Sequence, residues 1–364
     1  MYKKSTYYML IVCFIASFFI NCSKDTNATT VQKSGIAIDY VKTLGGSKNE
    51  SAQAVTKTTD GGYAILGYTQ SRDGDVTNKS NESYDYWVIK YDATNQLQWQ
   101  KTYGGSDDDR GADLVQTSDG GYAVIGKSKS NDLDVSENAG FDDFWITKLT
   151  ENGAISWEKT YGFAGSDTPN SIIQTKDNGY LLTGVLDVSA SNGQGDRHST
   201  VQRHAGGDYW VIKLNANGVR EWSNYYGGSF TDTAYDAIQT EDDGYIIVGS
   251  SDSDDVDILN TNGGYDFWVI KTSNTGALVW EKSFGGSEID EARAISLISD
   301  GNYLIVGDTR SNDLDVSLTN GAADLWLIKI SPEGTLLWEK TIGGTNFDVG
   351  RSISKTQDNG FLIA

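Results

Sequence analysis

Carboxylates dominate the side chains that could do chemistry in this sequence. Of its 364 residues, 50 are Asp or Glu, against 29 Lys and Arg and two His, for a formal net charge of −21. They fall into columns. One set sits five residues after a recurring Gly-Gly position: Glu50, Asp109, Asp167, Asp232, Asp290 and Asp348. Six such carboxylates could ring the mouth of a channel and attract cations, or each could cap a turn by accepting backbone N–H bonds. A second set lies on loops: Asp73, Asp75 and Asp85; Asp132, Asp134 and Asp143; Asp255, Asp257 and Asp266; Asp313, Asp315 and Asp324. Closely spaced loop carboxylates are the oxygen-rich arrangement that Ca²⁺ prefers, so calcium is the one cofactor these residues point to. The glycine and terminal glutamate of an EF-hand are missing, however, and Asx-turns would use the same side chains.

Acids in such numbers leave hydrolysis open, because a glycosidase needs only two carboxylates about 5 to 9 Å apart. A catalytic pair should break a repeat, and these acids follow one. No phosphate-binding loop or dinucleotide fingerprint precedes a helix, and no helix is evident. The asymmetric feature is the third unit, where extra residues fall within 189–207 and carry Arg197, His198, Arg203 and His204, including both histidines of the chain. An insertion of this kind is a recognition loop or a tolerated surface loop. Two histidines six apart match no standard zinc spacing.

The elements that position these residues are set by a repeat. The ten tryptophans form five pairs, Trp87/Trp99, Trp145/Trp157, Trp210/Trp222, Trp268/Trp280 and Trp326/Trp338, each 12 residues apart. Successive first members are 58, 65, 58 and 58 residues apart. A turn of the type Asp60-Gly61-Gly62-Tyr63 recurs at Asp119, Asp177, Asp242, Asp300 and Asp358, and a glycine follows the aromatic by four residues at Gly67, Gly126, Gly184, Gly249 and Gly307. Each unit reads as four strands; in the fifth these are Ala292–Leu297, Tyr303–Asp308, Leu325–Ile330 and Leu336–Ile342. The third strand is apolar on both faces, as a strand covered on both sides must be. Four antiparallel strands per repeat make an all-β fold, a β-propeller of four-stranded blades that bury both faces by stacking radially. The tryptophans then read as packing between blades, with sugar-stacking platforms as the functional alternative. Five units are complete, and a sixth begins near Arg351–Thr356 and Phe361. This predicts six blades, the last incomplete and truncated at the C-terminus. The stretch Ile38–Gly46 aligns with a fourth strand and is expected to close that blade.

The units Asp-x-Trp-Val-Ile-Lys, Gly-x-x-x-Trp-x-Lys-x-Tyr-Gly-Gly-Ser and Asp-Gly-Gly-Tyr, which cover almost the whole mature chain, resemble the β-propeller repeats of Bacteroidetes secreted and surface lipoproteins. Some of those proteins carry the name endoglucanase from attached domains. The resemblance implies a surface location and, by name alone, carbohydrate-active chemistry.

The N-terminus reads as an export signal. Lys3 and Lys4 precede an apolar stretch, Met9–Ile20, shorter than the roughly 20 residues a spanning helix needs. It runs into Phe19-Ile20-Asn21-Cys22, which resembles a lipobox with Asn21 as a departure. Residues 1–21 are thus expected to be a lipoprotein signal peptide, Cys22 the lipidated residue, 22–35 a flexible tether and 36–364 the propeller. Cys13 leaves with the signal, so Cys22 has no disulfide partner. The acidic balance excludes nucleic acid as a partner. The expected function is a non-enzymatic, monomeric binding or scaffold module for a protein or glycan, lipid-anchored to the outer membrane on its periplasmic or surface side. The alternatives are a glycoside-hydrolase-like enzyme and a calcium-dependent adhesion module.

Overall fold

Four stretches rich in aromatic and β-branched residues, separated by Gly- and Asn-containing turns, fold in each repeat into a four-stranded antiparallel meander. The computed structural model describes residues 41–191 and 204–364. The first blade is β1 (Glu50–Lys57), β2 (Tyr63–Thr69), β3 (Asp85–Tyr91) and β4 (Leu97–Tyr103). The second is β5 (Asp109–Gln116), β6 (Tyr122–Ser128), β7 (Asp143–Leu149) and β8 (Ile155–Tyr161). The third is β9 (Thr168–Gln174), β10 (Tyr180–Asp187), β11 (Gly207–Leu214) and β12 (Arg220–Tyr226), with a single helical turn, α1 (Val188–Ser191), after β10. The fourth is β13 (Asp232–Gln239), β14 (Tyr245–Ser251), β15 (Asp266–Thr272) and β16 (Leu278–Phe284). The fifth is β17 (Asp290–Leu297), β18 (Tyr303–Thr309), β19 (Asp324–Ile330) and β20 (Leu336–Ile342). A sixth sheet holds β21 (Ile353–Lys355) and β22 (Phe361–Ile363). The chain is a β-propeller. Among the described residues, the turn α1 departs from the all-strand reading of the sequence.

Blades meet through aromatic residues of the third strands. In the first four blades the residue before the third-strand tryptophan packs at a tilt or edge-on against the tryptophan of the next blade: Tyr86 on Trp145 at 4.6 Å, Phe144 on Trp210 at 4.7 Å, Tyr209 on Trp268 at 4.5 Å and Phe267 on Trp326 at 4.6 Å between ring centroids. Tyr86 and Tyr209 also donate their hydroxyls to the carbonyls of Trp145 and Trp268, at 3.0 and 2.8 Å. Such pairs contribute roughly 0.5–1.5 kcal/mol each beyond the area they bury. The glycine four residues past each turn aromatic lies under a first-strand carbonyl, and at Gly126, Gly184, Gly249 and Gly307 the neighbouring blade's ring adds to the crowding. A Cβ on Gly126 would lie 2.6 Å from the Tyr86 hydroxyl, and one on Gly184 2.7 Å from the tip of Phe144. The second tryptophans bind the next blade's outer turn: Trp99 donates to the Glu151 carbonyl and Trp222 to that of Asn274.

Each third strand carries, one residue before its end, a lysine whose ammonium would be stranded in the sheet without a partner. Lys90, Lys148, Lys213, Lys271 and Lys329 reach the aspartate of the Asp-Gly-Gly-Tyr-type turn, at 2.6 to 2.9 Å. The same aspartates accept the backbone N–H two residues on, as Asp60 does from Gly62.

The first strands surround a central cavity. Each of β1, β5, β9, β13 and β17 carries a one-residue bulge, at Gln53, Ala112, Asn170, Tyr235 and Arg293. A bulge re-aims its side chain and the next, and these residues line a lumen of about 550 Å³ together with Arg351 and Ser352 of the sixth unit. Cys22, the signal, the tether and Tyr40 lie outside the described residues. The described part of the expected N-terminal strand, residues 41–46, is in no strand, and β21 pairs only with β22. Val55 on β1 is accordingly 68% exposed, where its counterpart Leu114 is 5% exposed.

Two turn glycines separate backbone strain from packing. Gly120 has φ +83° with open space around it, whereas a Cβ on Gly218, φ +72°, would meet the Trp157 ring at 2.7 Å. Gly120→Ala is expected to cost about 1–2 kcal/mol for left-handed backbone alone, and Gly218→Ala roughly 1–3 kcal/mol more from displacing the indole. Urea midpoints at constant m will show that order.

Candidate functional site

The acidic column is not a channel-mouth ring. Asp109, Asp167, Asp232 and Asp290 are fully buried, and Glu50 and Asp348 half-buried. Each carboxylate turns back to accept the backbone N–H four residues earlier: Gly46 to Glu50, Gly105 to Asp109, Phe163 to Asp167, Gly228 to Asp232, Gly286 to Asp290 and Gly344 to Asp348, at 2.6 to 3.3 Å. Buried N–H groups need acceptors, and the side chain nearest in sequence supplies one. The lumen is lined instead by residues three and four positions further along the strand.

The loop carboxylates divide their labour in the same way. Asp73, Asp132, Asp255 and Asp313 accept the N–H of Ser47, Ser106, Ser229 and Ser287, at 2.7 to 2.9 Å. Asp75, Asp134, Asp257 and Asp315 accept those of Gly45, Gly104, Gly227 and Gly285, at 3.0 to 3.3 Å. The third member of each expected calcium set is elsewhere. Asp85 pairs with the buried Lys79 ammonium at 2.8 Å, and Asp143, Asp266 and Asp324 accept the N–H groups of Ala139, Asn262 and Asn320. Among the described residues no three acidic, His or Cys side chains converge to hold a metal. What the fold does bring together is one member of each column. The aspartate opening a third strand meets the buried aspartate of the next blade across a glycine: Asp85 and Asp109 at Gly104, Asp208 and Asp232 at Gly227, Asp266 and Asp290 at Gly285.

In the third blade, His204 turns inward. Its Nδ1 contacts the Asp208 carboxylate, and its ring lies edge-on to Tyr225 at 4.9 Å between centroids. Arg197, His198 and Arg203 lie outside the described residues.

The lumen holds what the repeat reading missed. Down the first strands, the position after the bulge reads Ala54, Asp113, Ser171, Asp236, Ala294 and Ser352, so Asp113 and Asp236 break the repeat. Aligning the units at the Gly-Gly position and following this column would have found them. Asp113 accepts the N–H of Leu114 at 2.8 Å and, from the next blade, that of Ile172 at 3.0 Å. Asp236 does the same with Ala237 and Ile295, and also accepts the Ser171 hydroxyl at 3.2 Å. Protein encloses both on every side but the lumen. Burial pushes Asp113 up to about 7, with Asp236 adding repulsion, and pushes Asp236 up to about 6. Beside them Arg293 binds Glu291 at 2.8 Å and stacks over Tyr235 at 4.3 Å. One wall of the cavity therefore presents an aromatic ring, a guanidinium, two carboxyls, an amide and hydroxyls.

No protein-family model matches the sequence. Regulatory protein FlaEY of Caulobacter vibrioides is 24% identical over 346 residues, covering 84% of this chain and 35% of that protein, so the chain spans about a third of that relative's length. Among solved structures, a protein of unknown function from Bacteroides caccae is 10% identical at a TM-score of 0.43, covering 82% of this chain and 81% of its own. A thermostable family-43 glycoside hydrolase is 11% identical at 0.41, covering 89% and 95%. A variant of Synechocystis apocarotenoid oxygenase is 12% identical at 0.46, covering 82% and 63%. All three scores fall below 0.5, and the fold is read from the sheets of this chain itself.

Raised carboxyl pKa values make stability depend on pH. Asp109, Asp113 and Asp236, at about 6, 7 and 6 through burial, bind their protons more tightly folded than unfolded. Their contribution is full below the unfolded value near 4 and is lost as pH rises through 6 to 7. Asp242 acts oppositely. Bonds from Lys271 and Thr240 lower it to about 2, so its contribution disappears as pH falls toward that value. The melting temperature is expected to peak near pH 5 and fall by pH 8, and Asp113→Asn will flatten the alkaline side of that profile.

Proposed function

We propose that this chain is a lipid-anchored, non-enzymatic binding module of the outer membrane that takes a glycan in its central lumen. One observation carries the reading: repeated polar side chains are held in turns and blade junctions, while the bulge column of the five complete blades, Gln53, Ala112, Asn170, Tyr235 and Arg293, differs in every blade, with Arg351 at the equivalent place in the sixth unit. A ligand recognised along one direction needs an asymmetric wall. Carboxyl, amide and guanidinium groups next to an aromatic ring match the hydroxyls and apolar faces of a sugar. Binding is favoured over hydrolysis because Asp113 and Asp236 each already hold two backbone N–H groups, one of them in the next blade, a structural use that accounts for both carboxyls. A glycan array is expected to give hits that Arg351→Ala weakens at least tenfold without changing the melting temperature. Sugar release in a glycoside panel, lost in both Asp113→Asn and Asp236→Asn, would instead establish an enzyme.

The address rests on the sequence at Lys3–Cys22. Two or more acyl chains on one cysteine make a stable anchor. Metabolic labelling with radioactive palmitate is expected to mark the full-length chain and to be abolished by Cys22→Ala, which moves the protein to the soluble fraction.

A further inference from the structure

The paired aspartates at the blade junctions raise a charge problem that the chain solves in some blades and not in others. Asp266 and Asp290 are both at 0% exposure. At Gly285, a Cβ would lie 2.2 Å from Asp266 Oδ1 and 2.6 Å from Asp290 Oδ2, so both carboxylates face the same cradle. Asp266 Oδ2 accepts the Asn262 N–H, and Asp290 Oδ2 accepts the Gly286 N–H and the Ser311 hydroxyl. Asp266 Oδ1 has no hydrogen-bond partner. Two neighbouring anions away from water are costly unless paired. Burial, then repulsion from Asp290 and Asp315, pushes Asp266 up to about 7.

The equivalent junctions show what belongs there. In the first blade, the fully buried ammonium of Lys79 sits 2.8 Å from Asp85 Oδ1, the atom that corresponds to the unpartnered oxygen of Asp266. In the third, the buried His204 ring nitrogen sits on Asp208, at Oδ2, while Oδ1 is the oxygen that faces Gly227. Lys79 lies six residues before its aspartate and His204 four before. The corresponding residues before Asp266 are Asn260 and Asn262, neither of which carries a charge. Asp143 and Asp324 repeat the situation: each has an unpartnered Oδ1 held against a glycine, Gly162 and Gly343.

We propose that the junction between Asp266 and Asp290 binds a desolvated monovalent inorganic cation, Na⁺ or K⁺, in the role that Lys79 fills within the first blade. A single positive charge matches the ammonium. Asp143, beside the buried Asp167, marks a further junction of the same kind.

The test is made on the whole chain at pH 8 and constant ionic strength. Replacing N-methylglucammonium by Na⁺ or K⁺ is expected to raise the melting temperature by several degrees. Crystals soaked in thallium(I) are expected to show anomalous density between Asp266 and Asp290, and none at Asp85. Asn260→Lys, which supplies the charge from the chain, is expected to remove the thallium peak at Gly285 and keep the one at Gly162. The proposal fails if Na⁺, K⁺ and N-methylglucammonium give the same melting temperature and no peak appears, the result expected of a pair that shares a proton. It also fails if Ca²⁺ or Mg²⁺ stabilises the protein where Na⁺ and K⁺ do not.

Discussion

Blade-to-blade stacking of the third-strand aromatics is the contact on which everything else depends. A four-stranded sheet of this length cannot bury both faces alone. Tyr86 on Trp145, Phe144 on Trp210, Tyr209 on Trp268 and Phe267 on Trp326 join the five sheets through apolar clusters shared between neighbouring blades. The glycine on each second strand answers to the first strand's carbonyl and, in the second to fifth blades, to the neighbouring ring. The stack also sets the spacing of the first strands around the lumen, and hence the distance across which luminal side chains act. Where the stack ends, apolar surface is left over: Trp338 on β20 is 41% exposed although its four counterparts are half-buried.

Acidity serves this architecture more than it serves a ligand. A chain with a net charge of −21 looks like a cation binder, yet its repeated aspartates are acceptors for backbone N–H groups in turns that contain too much glycine to satisfy themselves. Lysines near the ends of the third strands neutralise another set. The acids left with a chemical question are those the fold forces into pairs, at the junctions and in the lumen. Their placement follows from packing: the first strand of one blade starts where the third strand of the blade before it starts, so two strand-opening aspartates meet across a glycine.

Luminal asymmetry has a different origin. The bulge on each first strand takes its residue and the next out of the pattern of the sheet. Those two positions contribute little to stacking between blades, and they are free to vary. Gln53, Ala112, Asn170, Tyr235 and Arg293 share a place and little chemistry. Asp113 and Asp236 add a second use, each tying its strand to the next blade through Ile172 and Ile295.

Local periodicity alone determined much of this protein. Strands at Tyr303–Thr309 and Leu336–Ile342 stand where hydrophobic pattern and turn residues put them, since hydrogen bonding between neighbours in sequence needs no distant information. The tryptophan pairs announced contact between blades. The spacing of the acids did not disclose their partners. Asp266 reads in sequence as a companion of Asp255 and Asp257, but in space its companion is Asp290, because the strand that separates them in the chain brings them together in the ring. Asp113 and Asp236 were legible as breaks in a column. That the column faces a lumen was decided only by the bulge and by the closing together of first strands from different blades, contacts between residues about 60 positions apart that no local pattern encodes.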